Sequence, residues 1–329
     1  MTARDRLLAI SVAVMWGLNF PATAYALEQF PPFLLVALRF ALLAVPTVLF
    51  VRRPQVKWRW LLGYGVGFGV LQFAFLYLGM SSGMPTGLAS LVLQASAPFT
   101  VVLAGLFLRE RLTPIQGIGV LLAVAGLGII AAHQAQVSSL MPVVLTLLGA
   151  LGWSIGNLCS RQARPDSPLR LTLWMSVVPP LPMFALSMMI EGPTAIGASL
   201  STAFTVDALP AVLGVLYIVL IATILGSGIW TTLMSKYPSS TVAPFSMLVP
   251  VIGLSSSAFM LGERISGLQI VGAGIVISGV LLASLRFRKP LRRLRRPMPA
   301  GASSEAPANV VDPVADPVVD PAEQRIVGR

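Results

Sequence analysis

Charge is scarce in these 329 residues. Charged side chains make up 11% of the chain, less than half of the about 25% carried by a soluble domain, so a water-facing surface cannot be covered. That excludes a soluble enzyme, a disordered protein and a nucleic-acid-binding module. Cysteine is scarcer still: Cys159 alone excludes a disulfide framework and any multi-cysteine metal site. One histidine, His133, and 12 acidic residues leave little for general acid–base work or ligation, and neither a metal nor a cofactor is expected. What remains is apolar: 56% of the residues are hydrophobic and the mean hydropathy is +0.83.

A hydrocarbon core of roughly 30 Å takes about 20 apolar residues in a helix. Ten stretches qualify: 7–27, 31–51, 61–80, 85–108, 113–132, 138–160, 168–190, 208–235, 238–261 and 265–285. The first is not a cleaved signal peptide, because it is too long, lacks a small-residue cleavage site and is followed at once by another span. Short links make spans 3, 4 and 5, and later 8, 9 and 10, antiparallel neighbours in compact bundles. The longest link, 191–207, holds Glu191 and Asp207 but no lysine or arginine.

The net charge of +11 is a statement about topology. With a cytoplasmic N-terminus, 21 of the 23 basic residues fall in cytoplasmic segments, Arg264 alone falls outside, and Arg39 lies within span 2. That satisfies the positive-inside rule, and no nucleic-acid partner is expected. Residues 286–296 hold seven basic side chains, a stop-transfer anchor with attraction for anionic headgroups. Beyond them Asp-Pro recurs at Asp312-Pro313, Asp316-Pro317 and Asp320-Pro321. Proline disfavours helix at the residue before it, so 297–329 reads as a disordered cytoplasmic tail.

The chain repeats itself. An offset of 153 places Pro85 on Pro238, Glu110 on Glu263, Arg111 on Arg264, Gln116 on Gln269, Gly119 on Gly272 and Gly126 on Gly279. Each half thus carries Glu-Arg-x4-Gln-x2-Gly-x6-Gly. An offset of 137 places Trp16 on Trp153 and brings Asn19 within one position of Asn157. Five spans per half is an odd number, so the second half enters the membrane upside down, an architecture of secondary transporters. The domains expected are 1–137 and 138–287, the two five-helix repeats, and 288–329, the basic segment and tail. The glycines of spans 5 and 10 let helices approach closely, as a scaffold or as a homodimer face.

Met15-Trp16-Gly17-Leu18-Asn19-Phe20, Leu38-Arg39-Phe40, Gly83-Met84-Pro85-x-Gly87-Leu88-Ala89-Ser90-Leu91-Val92-Leu93-Gln94, Gly228-Ile229-Trp230 and Val242-Ala243-Pro244-Phe245-Ser246 resemble the EamA branch of the drug/metabolite transporter superfamily. The long stretch in span 4 is closer to exporters of O-acetylserine and cysteine than to the nucleotide-sugar or aromatic exporters. The resemblance covers about residues 1–287. It implies ten helices, both termini inside, and a central cavity lined mainly by helices 1, 3, 4, 6, 8 and 9.

Polar groups inside the spans are few. Arg39 sits roughly 12 Å deep, and an intramembrane charge is a functional hypothesis by default. It either docks a substrate carboxylate or is structural, snorkelling outward or pairing with Glu28. Glu110 and Glu263 sit at interfaces beside arginines, where they cap or pair locally. Pro98 and Pro250, in spans 4 and 9, mark hinges or fixed bends. A site for a small zwitterion needs an apolar wall and a few fixed polar groups. Trp16 with Asn19, and Trp153 with Asn157, each share a helix face. Tyr77 falls on Trp230 at the 153 offset, and Gln94 and Ser246 lie near prolines. The alternative is that the tryptophans anchor at the interface, as Trp58 and Trp60 do, and the amides glue helices together.

The expectation is an all-α integral protein of the inner membrane, multi-pass, with both termini cytoplasmic and two inverted five-helix repeats. It is a secondary transporter exporting a small amphiphilic metabolite, an amino acid or a derivative such as O-acetylserine or cysteine. Broad drug or metabolite efflux is the second reading. A non-transporting scaffold or a membrane-embedded enzyme comes last, because no paired His/Asp/Glu constellation lies inside the spans.

Overall fold

Apolar runs that cross hydrocarbon must satisfy their backbone internally, which here is achieved by helices. The computed structural model describes residues 1–109, 113–137, 139–237 and 239–284, and among them there is no strand. Among the described residues ten helices are long and apolar enough to cross a membrane. They are α1 (Ala3–Gln29), α2 (Pro32–Phe50), α3 (Trp58–Ser81), α4 (Thr86–Leu108) and α5 (Pro114–Val137), followed by α6 (Met141–Ala163), α7 (Pro168–Ile190), α8 (Leu209–Lys236), α9 (Pro244–Leu261) and α10 (Gly267–Ser284). The longest link is not bare: a short helix, Gly192–Ser201, occupies it. Direction alternates, so both the start of α1 and the end of α10 lie on one face, called here the terminal face, opposite the distal face. Glu110, Arg111 and Pro238, the basic run 286–296 and the tail 297–329 lie outside the described residues.

Local chemistry sets the helix ends. Thr2 and Ser167 accept the Asp5 and Arg170 amides as side-chain N-caps, satisfying donors that a first turn leaves free. The paired glutamines of the repeat are capping boxes. Gln116 Oε1 accepts the Thr113 amide at 3.0 Å while Thr113 Oγ1 accepts the Gln116 amide at 3.3 Å. Ser266 and Gln269 make the same exchange at 2.8 and 3.2 Å. The C-caps of α4 and α9 also match: Arg109 and Gly262, one offset of 153 apart, are both left-handed, with φ of 52° and 67°.

The extensive interfaces are not those that short links suggest. The first five helices touch their neighbours in sequence, yet α5 packs chiefly on α10, α3 on α6, α2 on α7, and α1 on α8 and α9. A short link dictates direction and the nearness of two ends, whereas buried faces decide which helices pack along their length. The α5–α10 seam is built from glycine. Gly119 lies against Gly279 and Ala283, and Gly126 against Gly272 and Val276. Gly272 equals Gly119 and Gly279 equals Gly126 in the repeat, so each glycine meets the other's counterpart. Gly117, Gly128 and Gly274 face open space.

Candidate functional site

Four of the described helices leave α geometry, α3, α4 and α8 within their length and α9 in its first turn. α3 is π-helical over Gly65–Gln72 and α8 over Tyr217–Leu225. α4 tightens to 3-10 over Leu93–Ala95 and α9 over Ala243–Met247. At the 153 offset the π segments coincide to within one residue and the 3-10 segments overlap. Such segments mark functional stretches of helices, because they put backbone carbonyls where side chains can reach them. Thr223 Oγ1 donates to the Ile218 carbonyl at 2.8 Å, and the Trp16 indole donates to the Ala222 carbonyl at 2.9 Å. The α3 segment depends on closeness: Gly67 abuts the Gly152 carbonyl and the Gly156 amide of α6. Pro98 and Pro250 each follow a 3-10 segment.

The two repeats meet at Gln94 and Met247, which are equivalent at the 153 offset. Gln94 Nε2 lies 3.9 Å from Met247 Sδ. Gln94 thus touches its own counterpart in the sequence repeat, and Ser246 is the neighbour of Met247 in sequence. To one side, Trp16 and Trp230 stack at 5.1 Å with a 53° tilt. Asn19 Oδ1, on the same helix as Trp16, is buried without a partner. To the other side, Asn157 Nδ2 donates to Thr100 Oγ1 at 3.3 Å, Ser154 donates to the Ser96 carbonyl at 2.9 Å, and Trp153 meets Phe68 edge-on at 6.0 Å. Gln72 Oε1, in the π segment of α3, is a second buried acceptor without a partner.

Tyr77 is elsewhere. It is fully buried and its hydroxyl accepts from Arg39 Nη1, toward the distal face, whereas Trp230 lies toward the terminal face. The two are related by the repeat without sharing a surface. Arg39 is 4% exposed, so it does not snorkel. It does not pair with Glu28 either: Nη2 donates to Thr223 Oγ1 at 3.2 Å and the guanidinium lies 4.0 Å over the Phe73 ring.

Both ends of the site are tied. At the distal face the Glu263 carboxylate accepts from the Thr86 and Gly87 amides, the latter at 2.9 Å, and Gly253 packs on Ser90. Glu263 therefore caps a helix of the other half rather than pairing locally. At the terminal face Asp5 Oδ2 accepts from Lys236 Nζ at 2.9 Å and from the Tyr237 hydroxyl, joining α1 to α8. A groove of about 290 Å³ on another side of α1, lined by Leu18, Ala22, Tyr25 and Tyr217 among others, is apolar and holds none of the expected site residues. Gln72, Thr100, Thr223 and Met247 escaped the sequence reading. Met247 could have been found by adding 153 to Gln94, and Gln72 as an amide within an apolar span.

Comparison with known proteins agrees with this architecture. The EamA-like transporter family matches twice, over residues 6–132 and 140–285. A Salmonella typhimurium protein named a probable amino-acid metabolite efflux pump is 41% identical over 302 residues, 90% of this chain and 99% of that protein. An Escherichia coli protein of the same name is 39% identical, over 89% of this chain and 99% of that one. A second Escherichia coli protein, named an uncharacterized inner membrane transporter, is 22% identical over 89% and 94%.

Proposed function

This chain belongs to the EamA-like transporter family, a multi-pass transporter of the inner membrane and not an enzyme, and from that premise we propose that it exports a small amino-acid metabolite by alternating access. The metabolite is an amino acid or a derivative of the size and polarity of O-acetylserine or cysteine, in keeping with the names of the relatives near 40% identity. The observation that carries this reading is the two matched pairs of non-α segments, in α3 and α8 and in α4 and α9, together with the Gln94–Met247 contact. Broken helices at mid-depth with polar groups between repeats are how secondary transporters build a binding site.

The repeats are inverted, a reading supported by the reciprocal glycine contacts of the antiparallel α5 and α10. The terminal face is cytoplasmic, in keeping with the charge split. Trp16, Trp153 and Trp230 supply the apolar wall. Asn19, Gln94, Asn157 and Ser246 supply the polar groups, with Gln72 added. The unpartnered Asn19 Oδ1 and Gln72 Oε1 suit a substrate ammonium, since an amide oxygen accepts without the desolvation cost of a buried carboxylate. Alternation requires the Glu263 tie at one face and the Asp5–Lys236–Tyr237 tie at the other to part in turn.

Counterflow in proteoliposomes with a panel of labelled amino acids tests this. Wild-type protein exchanges at least one member, and Asn19→Ala, Gln94→Ala or Asn157→Ala weakens its apparent affinity by about 10-fold, the loss of one good hydrogen bond, with expression unchanged. Three variants of wild-type affinity would move the site elsewhere, and exchange of unrelated apolar drugs in place of amino acids would make the protein a broad efflux transporter.

A further inference from the structure

Arg39 carries a charge that the fold leaves unmatched. Its recorded partners are all neutral: the Tyr77 and Thr223 hydroxyls and the faces of Phe40, Phe73 and Tyr77. Among the described residues no carboxylate lies within ion-pair reach of it, and its Nε is buried with no hydrogen-bond partner. A buried guanidinium without a counter-ion is costly, and cation–π contacts recover only part of that cost.

Packing does not demand the charge. At the 137 offset Arg39 falls on Ser176, equally buried, whose hydroxyl donates to the carbonyl of Leu173 in its own helix. The fold therefore completes the equivalent position with a neutral side chain. Placement does point to the transport site. Thr223, which holds Arg39 Nη2, follows Ala222, whose carbonyl takes the Trp16 indole. Both lie in the π segment of α8, so one stretch of irregular backbone carries the tryptophan wall and the arginine together. Tyr77 and Thr223 each take one N–H of a terminal nitrogen and Phe73 supports the plane, which leaves Nε as the guanidinium nitrogen with no partner.

We propose that Arg39 is the fixed counter-charge for a carboxylate on the transported metabolite, a specificity residue that selects acids over their amides. The proposal rests on the export reading above and names the substrate class of that site. A carboxylate brings the missing negative charge and accepts in the plane of the guanidinium. An amide of the same shape brings neither.

The test is competition counterflow in proteoliposomes. Serine, cysteine, O-acetylserine and phenylalanine, each with its carboxamide, compete against whichever labelled amino acid the wild-type protein exchanges. Wild type prefers the acid by about 10-fold or more, the range of a hydrogen bond to a charged group. In Arg39→Gln that preference falls to within about twofold while thermal stability holds. Arg39→Lys, which keeps the charge and loses the fork, falls in between. An unchanged preference in Arg39→Gln overturns the proposal, as does an equal weakening of acid and amide, which is the mark of a structural arginine. If Arg39→Gln does not insert, Arg39→Lys decides: a preference lowered several-fold supports the proposal and a wild-type preference overturns it. If wild type exchanges no member of the panel, the export reading falls, whereas exchange without any acid preference removes Arg39 alone.

Discussion

Pro85 is the N-cap of α4 and Pro31 the N-cap of α2, and neither offers a side-chain acceptor to the turn that follows. The amides left over are taken from far away in sequence. Glu263 accepts from Thr86 and Gly87, and Glu191 accepts from Phe33 and Leu34 at 2.7 and 3.1 Å while receiving the Ser187 hydroxyl at 2.6 Å. Each carboxylate does for a helix what an N-cap serine does, and also opposes the positive end of the helix dipole. Glu263→Ala and Glu191→Ala should each lower stability by about 1–2 kcal/mol, read as a fall in thermal midpoint in detergent. Glu263→Gln, which keeps one acceptor oxygen, should lose less than Glu263→Ala, and equal losses would count against the cap. The sequence marked Glu263 through its repeat partner Glu110, but a partner 177 positions away leaves no trace in local spacing. Gln116 and Gln269 were also marked as repeats, although the Thr-x-x-Gln and Ser-x-x-Gln spacing in front of each helix already spells a capping box. Arg39 was visible as a charge in an apolar span, while its hydroxyl and aromatic partners were not.

Hydropathy reports length and hydrophobicity, and on those grounds the ten helices were legible to within a few residues. It says nothing about hydrogen-bond register, so the π and 3-10 segments were not legible. The alternating Gly65, Gly67 and Gly69 of α3 hint at close packing, but α8 makes its π segment from Tyr217–Leu225 without a glycine. Helix partnership was half legible. The small residues of spans 5 and 10 predicted a tight seam without saying whether the mate was a second copy or the other half of the chain. The seam is internal. A side chain on Gly119 would run into the Ala283 amide, and one on Gly279 into the Ala123 amide. Backbone cannot step aside as a flexible side chain can, so Gly119→Val and Gly279→Val should each abolish correct insertion or lower stability by about 3 kcal/mol or more. Gly117→Ala and Gly128→Ala, on faces with nothing within 4 Å, should stay within about 0.5 kcal/mol of wild type. Detergent extraction followed by size-exclusion chromatography separates the two classes. If Gly117→Ala were as damaging as Gly119→Val, a contact from another molecule would have to cover that face.

At the scale of the whole molecule the argument is about which way up the bundle sits. Its alternating helices put two matching pairs of helix ends on opposite faces: the end of α4 and the start of α5 at the terminal face, and the end of α9 and the start of α10 at the distal face. Basic residues separate the same faces, with Arg52, Arg53, Lys57, Arg161, Arg164 and Lys236 at the terminal face and Arg264 at the distal one. Moving that excess across the bilayer opposes the membrane potential at about 2.3 kcal/mol per charge per 100 mV, which predicts that the terminal face lies in the cytoplasm. The check is single cysteines in a Cys159→Ser background, probed with a membrane-impermeant maleimide on intact cells. Ser82→Cys, Leu200→Cys and Ile265→Cys should label from outside. Gln55→Cys, Leu112→Cys and Asp166→Cys should label only after permeabilisation. The reversed pattern would place the termini outside and overturn the charge argument while leaving the fold untouched. Labelling of Leu112→Cys and Ile265→Cys from the same side would be a different failure. It would make the two Glu-Arg repeats parallel, and a parallel pair cannot present the same site alternately to the two sides of the membrane by exchanging the roles of its halves.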